Sequence, residues 1–177
     1  MAETLLRKHS VQERLNKQAS DVITVTATTL ASATFAVHKV ISQSIEIPFA
    51  TSVPGGTSII KSVAILDEGV TGLSGLGIDI YFSSSSANIT EALNKPIGED
   101  IADLDVVLRS MLGFVAFVKT EFIEFIDCDF AVKTGVDLMV QSASDSTSIY
   151  MHVVNRINSY TSQDVDDLKV KIGLIKD

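Results

Sequence analysis

The stretch Leu168–Ile175 (Leu-Lys-Val-Lys-Ile-Gly-Leu-Ile) places an apolar residue at every second position, with lysines between the first three. This alternation is typical of a strand that buries one face and exposes the other. The segment Gly77–Ser83 (Gly-Ile-Asp-Ile-Tyr-Phe-Ser) repeats the pattern. Its predicted inward residues are Ile78, Ile80 and Phe82, and its predicted outward residues are Asp79 and Tyr81. Together the two segments indicate a sheet with one buried face.

Further extended segments are predicted on both sides of this pair. They are the alternating run that begins at Asp21, Thr34–Phe49 with Pro48 near its end, Ser58–Leu66, Phe114–Lys133 (two strands joined near Glu121, or one strand with a bulge), Val136–Gln141 and Ser148–Arg156. Within Ser58–Leu66 we expect Ile59, Val63 and Ile65 to share one face. We expect this segment to pair with Gly77–Ser83, and Val136–Gln141 to form a hairpin with Ser148–Arg156.

One helical insertion is predicted over residues 87–113. Its apolar residues at helical spacing are Ile101, Leu104, Val107, Leu108 and Met111, and Glu99 or Asp100 is the expected cap. Short strands, loops rich in glycine and serine, and one helix predict a mainly β fold. We expect an antiparallel β-sandwich or jelly-roll-like body with one helical insertion and an N-terminal arm, although a flattened barrel has the same sequence pattern.

Composition limits the classes of protein that the chain can belong to. Of its 177 residues, 46% are hydrophobic and 20% are charged, which excludes a disordered chain and suits one domain with an arm. The single cysteine, Cys128, cannot form an intrachain disulfide. The net charge of −8 disfavours nucleic acid and anionic membrane surfaces as partners. Residues 1–20 lack the apolar core of a secretory signal, and the longest apolar run, Met111–Val118, is too short for a membrane span, so we expect a soluble protein.

The charge is distributed unevenly and divides the chain into two predicted regions. Residues 1–20 contain four basic and two acidic side chains and form a slightly basic arm, whereas residues 21–177 form an acidic body. Leu5, Val11 and Leu15 can share one face of a helix in this arm, but a frayed tail is an equal alternative. If the arm binds a neighbouring subunit, its candidate contact residues are Leu5, Leu6, Arg7, Lys8, Val11, Arg14 and Leu15.

No motif in the sequence carries recognisable catalytic or metal-binding chemistry. His9, His38 and His152 lack the spacing of metal ligands, and the acidic runs 103–105, 127–129 and 164–167 do not match a calcium loop. Carboxylates on both sides of Cys128 would raise the pKa of its thiol, so we expect this residue to be a small buried one. We therefore predict no catalytic residue, no cofactor and no metal site, and expect that the protein is not an enzyme.

The order of strands and loops over residues 57–177 resembles a pattern found in virion proteins of tailed bacteriophages. In that pattern an acidic loop follows a strand such as Ser58–Glu68, and a strand such as Gly77–Ser85 ends in a polar turn. An acidic helical segment like that at Ile101–Leu104 comes next. The segments Ser148–Arg156, Tyr160–Ser162 and Asp167–Leu174 are similar to the closing hairpin, polar loop and last strand of that family.

The resemblance implies a non-enzymatic structural protein of the phage head. It implies an auxiliary or decoration protein that binds the capsid shell in many copies, with the major capsid protein and copies of itself as partners. A trimer would suit three-fold positions of a shell. The expected location is the virion, assembled in the host cytoplasm. The alternative is a glycan- or host-binding module of a head fibre, neck or tail, with its site on the loops Asp67–Gly77 and Ala143–Thr147 and Tyr160 as the aromatic residue in a predicted loop.

Overall fold

A computed structural model describes residues 20–69, 77–99, 101 and 104–176. The strands are β1 (Ser20–Thr26), β2 (Thr34–Phe35), β3 (Val40–Ile47), β4 (Thr57–Asp67), β5 (Gly77–Ser83), β6 (Met111–Phe117), β7 (Ile123–Glu124), β8 (Asp129–Gln141), β9 (Ile149–Ile157), β10 (Tyr160–Thr161) and β11 (Leu168–Lys176). One α-helix, α1 (Leu104–Arg109), precedes β6, and a single 3-10 turn (Lys119–Glu121) follows it. The mainly β prediction is confirmed.

Two antiparallel sheets form the sandwich. The five-stranded sheet has the order β1-β11-β4-β8-β7, and the four-stranded sheet has the order β3-β9-β5-β6. A short β2–β10 pair lies beside them. The predicted inward residues Ile78, Ile80 and Phe82 of β5 are fully buried, as is Ile172 of β11, and all belong to one core that both sheets supply. The alternation seen in the sequence therefore identifies the core faces correctly.

The predicted strand pairings are wrong. β4 pairs with β11 and β8, whereas β5 pairs with β6 and β9, so Ser58–Leu66 and Gly77–Ser83 lie in different sheets. β8 and β9 also lie in different sheets, so Val136–Gln141 and Ser148–Arg156 do not form a hairpin. A period of two determines which face of a strand is buried, but it does not determine the hydrogen-bonding partner. In both cases the chain crosses from one sheet to the other.

A bulge in β4 overturns the prediction for Ile59. Ile60 pairs with Leu174 of β11 and Ser62 pairs with the adjacent Gly173, so Lys61 is an extra residue of β4 in this pairing. Extra residues of this kind reverse the side-chain parity beyond the bulge. Ile60 is consequently buried, and Ile59 is 37% exposed on the opposite side of the sheet from Val63 and Ile65.

The predicted helical insertion is much shorter than residues 87–113. Among the residues of this range that the structure describes, only Leu104–Arg109 is α-helical, and Met111 begins β6. Asn94 and Gly98 adopt positive φ angles of 63° and 80°, which a continuous helix does not allow. The apolar residues of this segment instead pack on the sheet as a second cluster, in which Ile89 and Val107 contact Val40 of β3 and Val154 of β9. The described residues between 84 and 110 thus cover the outer face of the four-stranded sheet.

Candidate assembly surface

The outer face of the five-stranded sheet is apolar, and the described part of the chain leaves it exposed. Its most exposed side chains are Val22 (75%), Met139 (70%), Ile123 (57%) and Val132 (51%). Ile59, Leu66, Phe130 and Ile175 lie on the same face and are less exposed. We call these eight residues the outer apolar face. The two sheets therefore differ in their outer faces, because the chain itself covers the outer face of the four-stranded sheet.

The strand register places these residues side by side. Ser20, Ile175, Ile59 and Met139 form one cross-strand row over β1, β11, β4 and β8. Four neighbouring strands give the face a width of about 19 Å, and eight residues along a strand give it a length of about 27 Å. Its area is therefore roughly 500 Å². A standard protein interface buries about 800 Å² on each partner. The face is large enough to supply most of such a contact.

Charged groups border the apolar residues. Lys61 forms an ion pair with Asp137, and Lys169 forms one with Glu68. Lys171 is exposed at the centre of β11. Lys171 pairs with Thr24 of β1 and Ala64 of β4, so this charge lies between the apolar rows of the face and not only at its border.

The turn between β7 and β8 extends the apolar surface at the edge of the sheet. Ile126 is 95% exposed and Phe125 is 55% exposed. The Phe125 N–H donates a hydrogen bond to the carbonyl oxygen of Cys128 (2.8 Å) and closes the turn. Cys128 is half-buried in this turn, so the prediction that it is a buried core residue is wrong. A tight turn at the sheet edge cannot enclose the side chain fully.

His152 is a buried structural residue on β9. Its Nδ1 accepts a hydrogen bond from the backbone N–H of Ser44 (3.0 Å), and its Nε2 lies 3.3 Å from the hydroxyl of Ser83. Burial lowers the pKa of the imidazole from 6.5 to about 4, so the ring is neutral at pH 7. His38 was predicted in a strand, but it lies in an exposed turn with φ of 63°. His9 lies outside the described residues.

Asp67, at the end of β4, is a buried carboxyl that the sequence analysis did not single out. Its Oδ1 accepts a hydrogen bond from the backbone N–H of Gly69 (3.1 Å) and lies 3.5 Å from the hydroxyl of Tyr160. Burial, together with the negative charges of Asp167 and Asp129, raises the pKa of Asp67 from 3.8 to about 6. Within the described ranges, no three His, Cys, Asp or Glu side chains are arranged to hold a metal ion.

Tyr160, the aromatic residue predicted for glycan binding, does not lie in an exposed loop. Tyr160, placed in a loop by the sequence analysis, belongs to β10, is 1% exposed and stacks on Phe35 with ring centroids 6.0 Å apart. Residues 70–76 of the first predicted loop lie outside the description. The second loop, 143–147, is held by backbone hydrogen bonds between Ala143 and both Gly55 and Ser146.

The seven candidate contact residues of the arm all lie outside the described residues, which begin at Ser20. Ser20 itself opens the cross-strand row of Ile175, Ile59 and Met139. The arm therefore joins the body at one corner of the outer apolar face.

Comparisons with known proteins give only distant structural likenesses. No family model and no curated protein sequence matches the chain. A chain of the giant freshwater prawn Macrobrachium rosenbergii nodavirus semi-empty VLP superposes with a TM-score of 0.35 and 11% identity, over 89% of this chain and 92% of that chain. A chain of deformed wing virus, a honeybee pathogen, superposes with a TM-score of 0.26 and 9% identity, over 89% of this chain and 48% of that one. Likenesses at this level establish neither a shared fold nor a shared function.

Within the described residues, no helix is both long and apolar enough to cross a membrane. The prediction that the protein is not an enzyme stays a prediction, as does the resemblance to tailed-phage proteins.

Proposed function

We propose that this protein is a non-enzymatic structural component of a virion, an auxiliary or decoration protein that binds the capsid shell in many copies. The observation that carries the proposal is the difference between the two sheets. The described residues between 84 and 110 cover the outer face of one sheet, whereas the outer apolar face of the other remains exposed. Several large apolar side chains exposed together on one face mark a surface that binds another protein.

Energetics favour binding at several contacts over binding at the face alone. Burying the exposed parts of Val22, Ile123, Val132 and Met139 contributes about 1 kcal/mol each. Association itself costs about 4 kcal/mol or more in lost rigid-body freedom. The face alone therefore supports only weak binding, and tight binding needs a second contact or an oligomer that binds through several copies of the face.

The arm, residues 1–20, is the proposed second contact, and residues 21–177 are the proposed body. The apolar stripe of Leu5, Val11 and Leu15 is too thin to bury well on its own. The arm ends at Ser20, beside the apolar row of Ile175, Ile59 and Met139, so a partner bound on the face lies within its reach. The proposed partners are the major capsid protein and other copies of this chain.

A binding experiment with shell particles tests the proposal. The double variant Val132→Lys, Met139→Lys places two charges on the outer apolar face at exposed positions, where the fold tolerates them. Binding to particles that lack this protein is measured by co-sedimentation. The account predicts at least tenfold weaker binding.

The matched control is Val165→Lys, which adds a charge at a 43% exposed position in the loop before β11. This variant should bind like the wild type. Equal binding by the double variant and the control would contradict the proposed contact.

A further inference from the structure

The two large sheets end in four edges, and three of these edges are short, irregular or covered. One consists of β7, which has two residues, and of the part of β8 beyond it, where Gly135 and Asp137 adopt positive φ angles of 67° and 51°. β3 has two register shifts against β9, and its Ser44 has a positive φ of 44°. β6 also shifts register, and the Lys133 ammonium donates a hydrogen bond to the carbonyl oxygen of Ala116 on its free edge. Such features keep edge strands from pairing with other chains.

β1 is the fourth edge, and as the structure describes it, it has none of these features. Its seven residues, Ser20–Thr26, pair with β11 in an unbroken register. The strand contains neither proline nor lysine, and its one charged side chain, Asp21, forms an ion pair with Lys176 of the same chain. A long and regular edge of this kind offers its outer backbone groups to another strand.

Hydrogen bonding to β11 identifies which backbone groups of β1 lie at the edge. The N–H of Ala27 donates to the carbonyl oxygen of Leu168 (2.7 Å), in the same register as β1. Bonded and non-bonded pairs alternate in antiparallel strands, so the odd-numbered residues of β1 bond to β11. The residues that direct their N–H and C=O groups to the free edge are Ser20, Val22, Thr24 and Thr26. All four are exposed, so a partner strand can reach them.

A second copy of β1 in antiparallel orientation fits this edge over its full length. With a two-fold axis at Ile23, each even-numbered residue lies opposite an even-numbered residue of the second copy. Four bonded pairs then form, with about eight backbone hydrogen bonds. Asp21 lies opposite Val25 of the second copy, so no like charges face each other. The strand is therefore complementary to itself.

We propose that β1 pairs with β1 of a second copy of this chain, antiparallel and about a two-fold axis at Ile23. The pairing joins the five-stranded sheets of the two copies into one continuous sheet. Because the outer apolar face reaches β1 at Val22, the two outer apolar faces become neighbours on the same side, with a combined area of roughly 1,000 Å². A shell partner that binds both faces gains from their linkage. The dimer goes beyond the proposed function and does not depend on it.

Sedimentation equilibrium of the full chain, without shell particles, tests the pairing. We expect the average mass to rise with protein concentration from the chain mass of 19.0 kDa towards twice this value. Thr24→Pro removes an N–H that points to the free edge and keeps the bonds to β11, so it should weaken the dimer at least about tenfold. A wild type that stays monomeric up to about 1 mM overturns the proposal, as does equal dimerisation of a folded Thr24→Pro variant.

The matched control is the Val132→Lys, Met139→Lys variant, whose added charges lie on the same side of the sheet but in β8. It should dimerise like the wild type. Loss of the dimer in this variant would mean that two copies associate through their outer apolar faces, and would overturn pairing through β1. Circular dichroism establishes that both variants fold.

Amide hydrogen exchange of the wild type locates the pairing even if Thr24→Pro does not fold. β11 protects the N–H groups of Ile23 and Val25 in the monomer, whereas those of Val22 and Thr24 should exchange more slowly only as protein concentration rises. Exchange at Val22 and Thr24 that stays fast in the dimer overturns the proposal. Slow exchange there at every concentration would assign the edge to a segment of the same chain and overturn it as well.

Discussion

Asp67 and His152 are two buried titratable groups whose effects on stability oppose each other as pH changes. The pKa of Asp67 is raised from 3.8 to about 6, so between these values the folded protein binds a proton that the unfolded chain has released. Stability therefore falls as pH rises through this window. The pKa of His152 is lowered from 6.5 to about 4, so the unfolded chain binds the proton instead, and stability rises with pH over that window.

The two magnitudes are similar. One pKa unit corresponds to about 1.4 kcal/mol. The shift of Asp67 removes about 3 kcal/mol of stability between pH 4 and pH 6, and the shift of His152 adds about 3 kcal/mol between pH 4 and pH 6.5. In the wild type the two contributions nearly cancel.

Single variants should reveal each contribution. Asp67→Asn keeps an oxygen to accept from Gly69 and removes the charge, and His152→Asn keeps an oxygen to accept from Ser44. Urea unfolding between pH 3.5 and pH 8 gives the free energy of unfolding of each variant minus that of the wild type. Taking this difference removes the pH-dependent contributions to stability of the other titratable groups, which the variant and the wild type share.

We expect the difference for Asp67→Asn to rise by about 3 kcal/mol from pH 4 to pH 6.5, and that for His152→Asn to fall by a similar amount. Asp105→Asn, which breaks the exposed ion pair with Arg109 (3.1 Å), is the control, and its difference should stay below about 1 kcal/mol because exposed ion pairs contribute little stability. Differences for Asp67→Asn or His152→Asn that do not change with pH would refute the reasoning.

Three further predictions follow from burial and hydrogen bonding. In urea unfolding, Phe82→Ala in the core should lower the free energy of unfolding by about 3–5 kcal/mol. Phe125→Ala, at a position that is 55% exposed, is the control and should lower it by less than about 1 kcal/mol. Equal losses would contradict the burial of Phe82. Asn155→Ala should cost about 2–4 kcal/mol by the same assay, because its Nδ2 donates to the carbonyls of Phe35 (3.0 Å) and Asn158 (2.6 Å); a neutral effect would refute that role. Deleting residues 1–19 should leave the midpoint of thermal unfolding nearly unchanged and weaken shell binding, and unweakened binding would refute the arm proposal.

The buried faces of the strands could be predicted from the sequence, because burial of one face makes apolar and polar residues alternate along the strand. Leu168, Val170 and Ile172 alternate with lysines and are fully buried. The identity of the neighbouring strand has no such effect on the sequence, since a strand of a sandwich shows the same alternation in either sheet. The error at Ile59 has a local cause, because the bulge at Lys61 reverses the parity of the residues before it.

The candidate surface and the Asp79–Arg156 ion pair were less predictable. Val22, Ile59, Val132 and Met139 come from three separate strands, and only the observed register brings them onto one face. Asp79 was correctly predicted to point outward, but its pairing with Arg156 depends on the β5–β9 register, which the sequence pattern does not contain. Spacing along the chain reports local geometry, and both sites depend on contacts between distant segments.

The central claim is that this protein belongs to a virion shell in many copies. Quantitative mass spectrometry of purified particles tests it directly, by measuring the number of copies of this chain per copy of the coat protein. The account predicts a ratio near one or a simple fraction of one. A handful of copies per particle would instead indicate a fibre, neck or tail component, and absence from the particles would contradict the claim altogether.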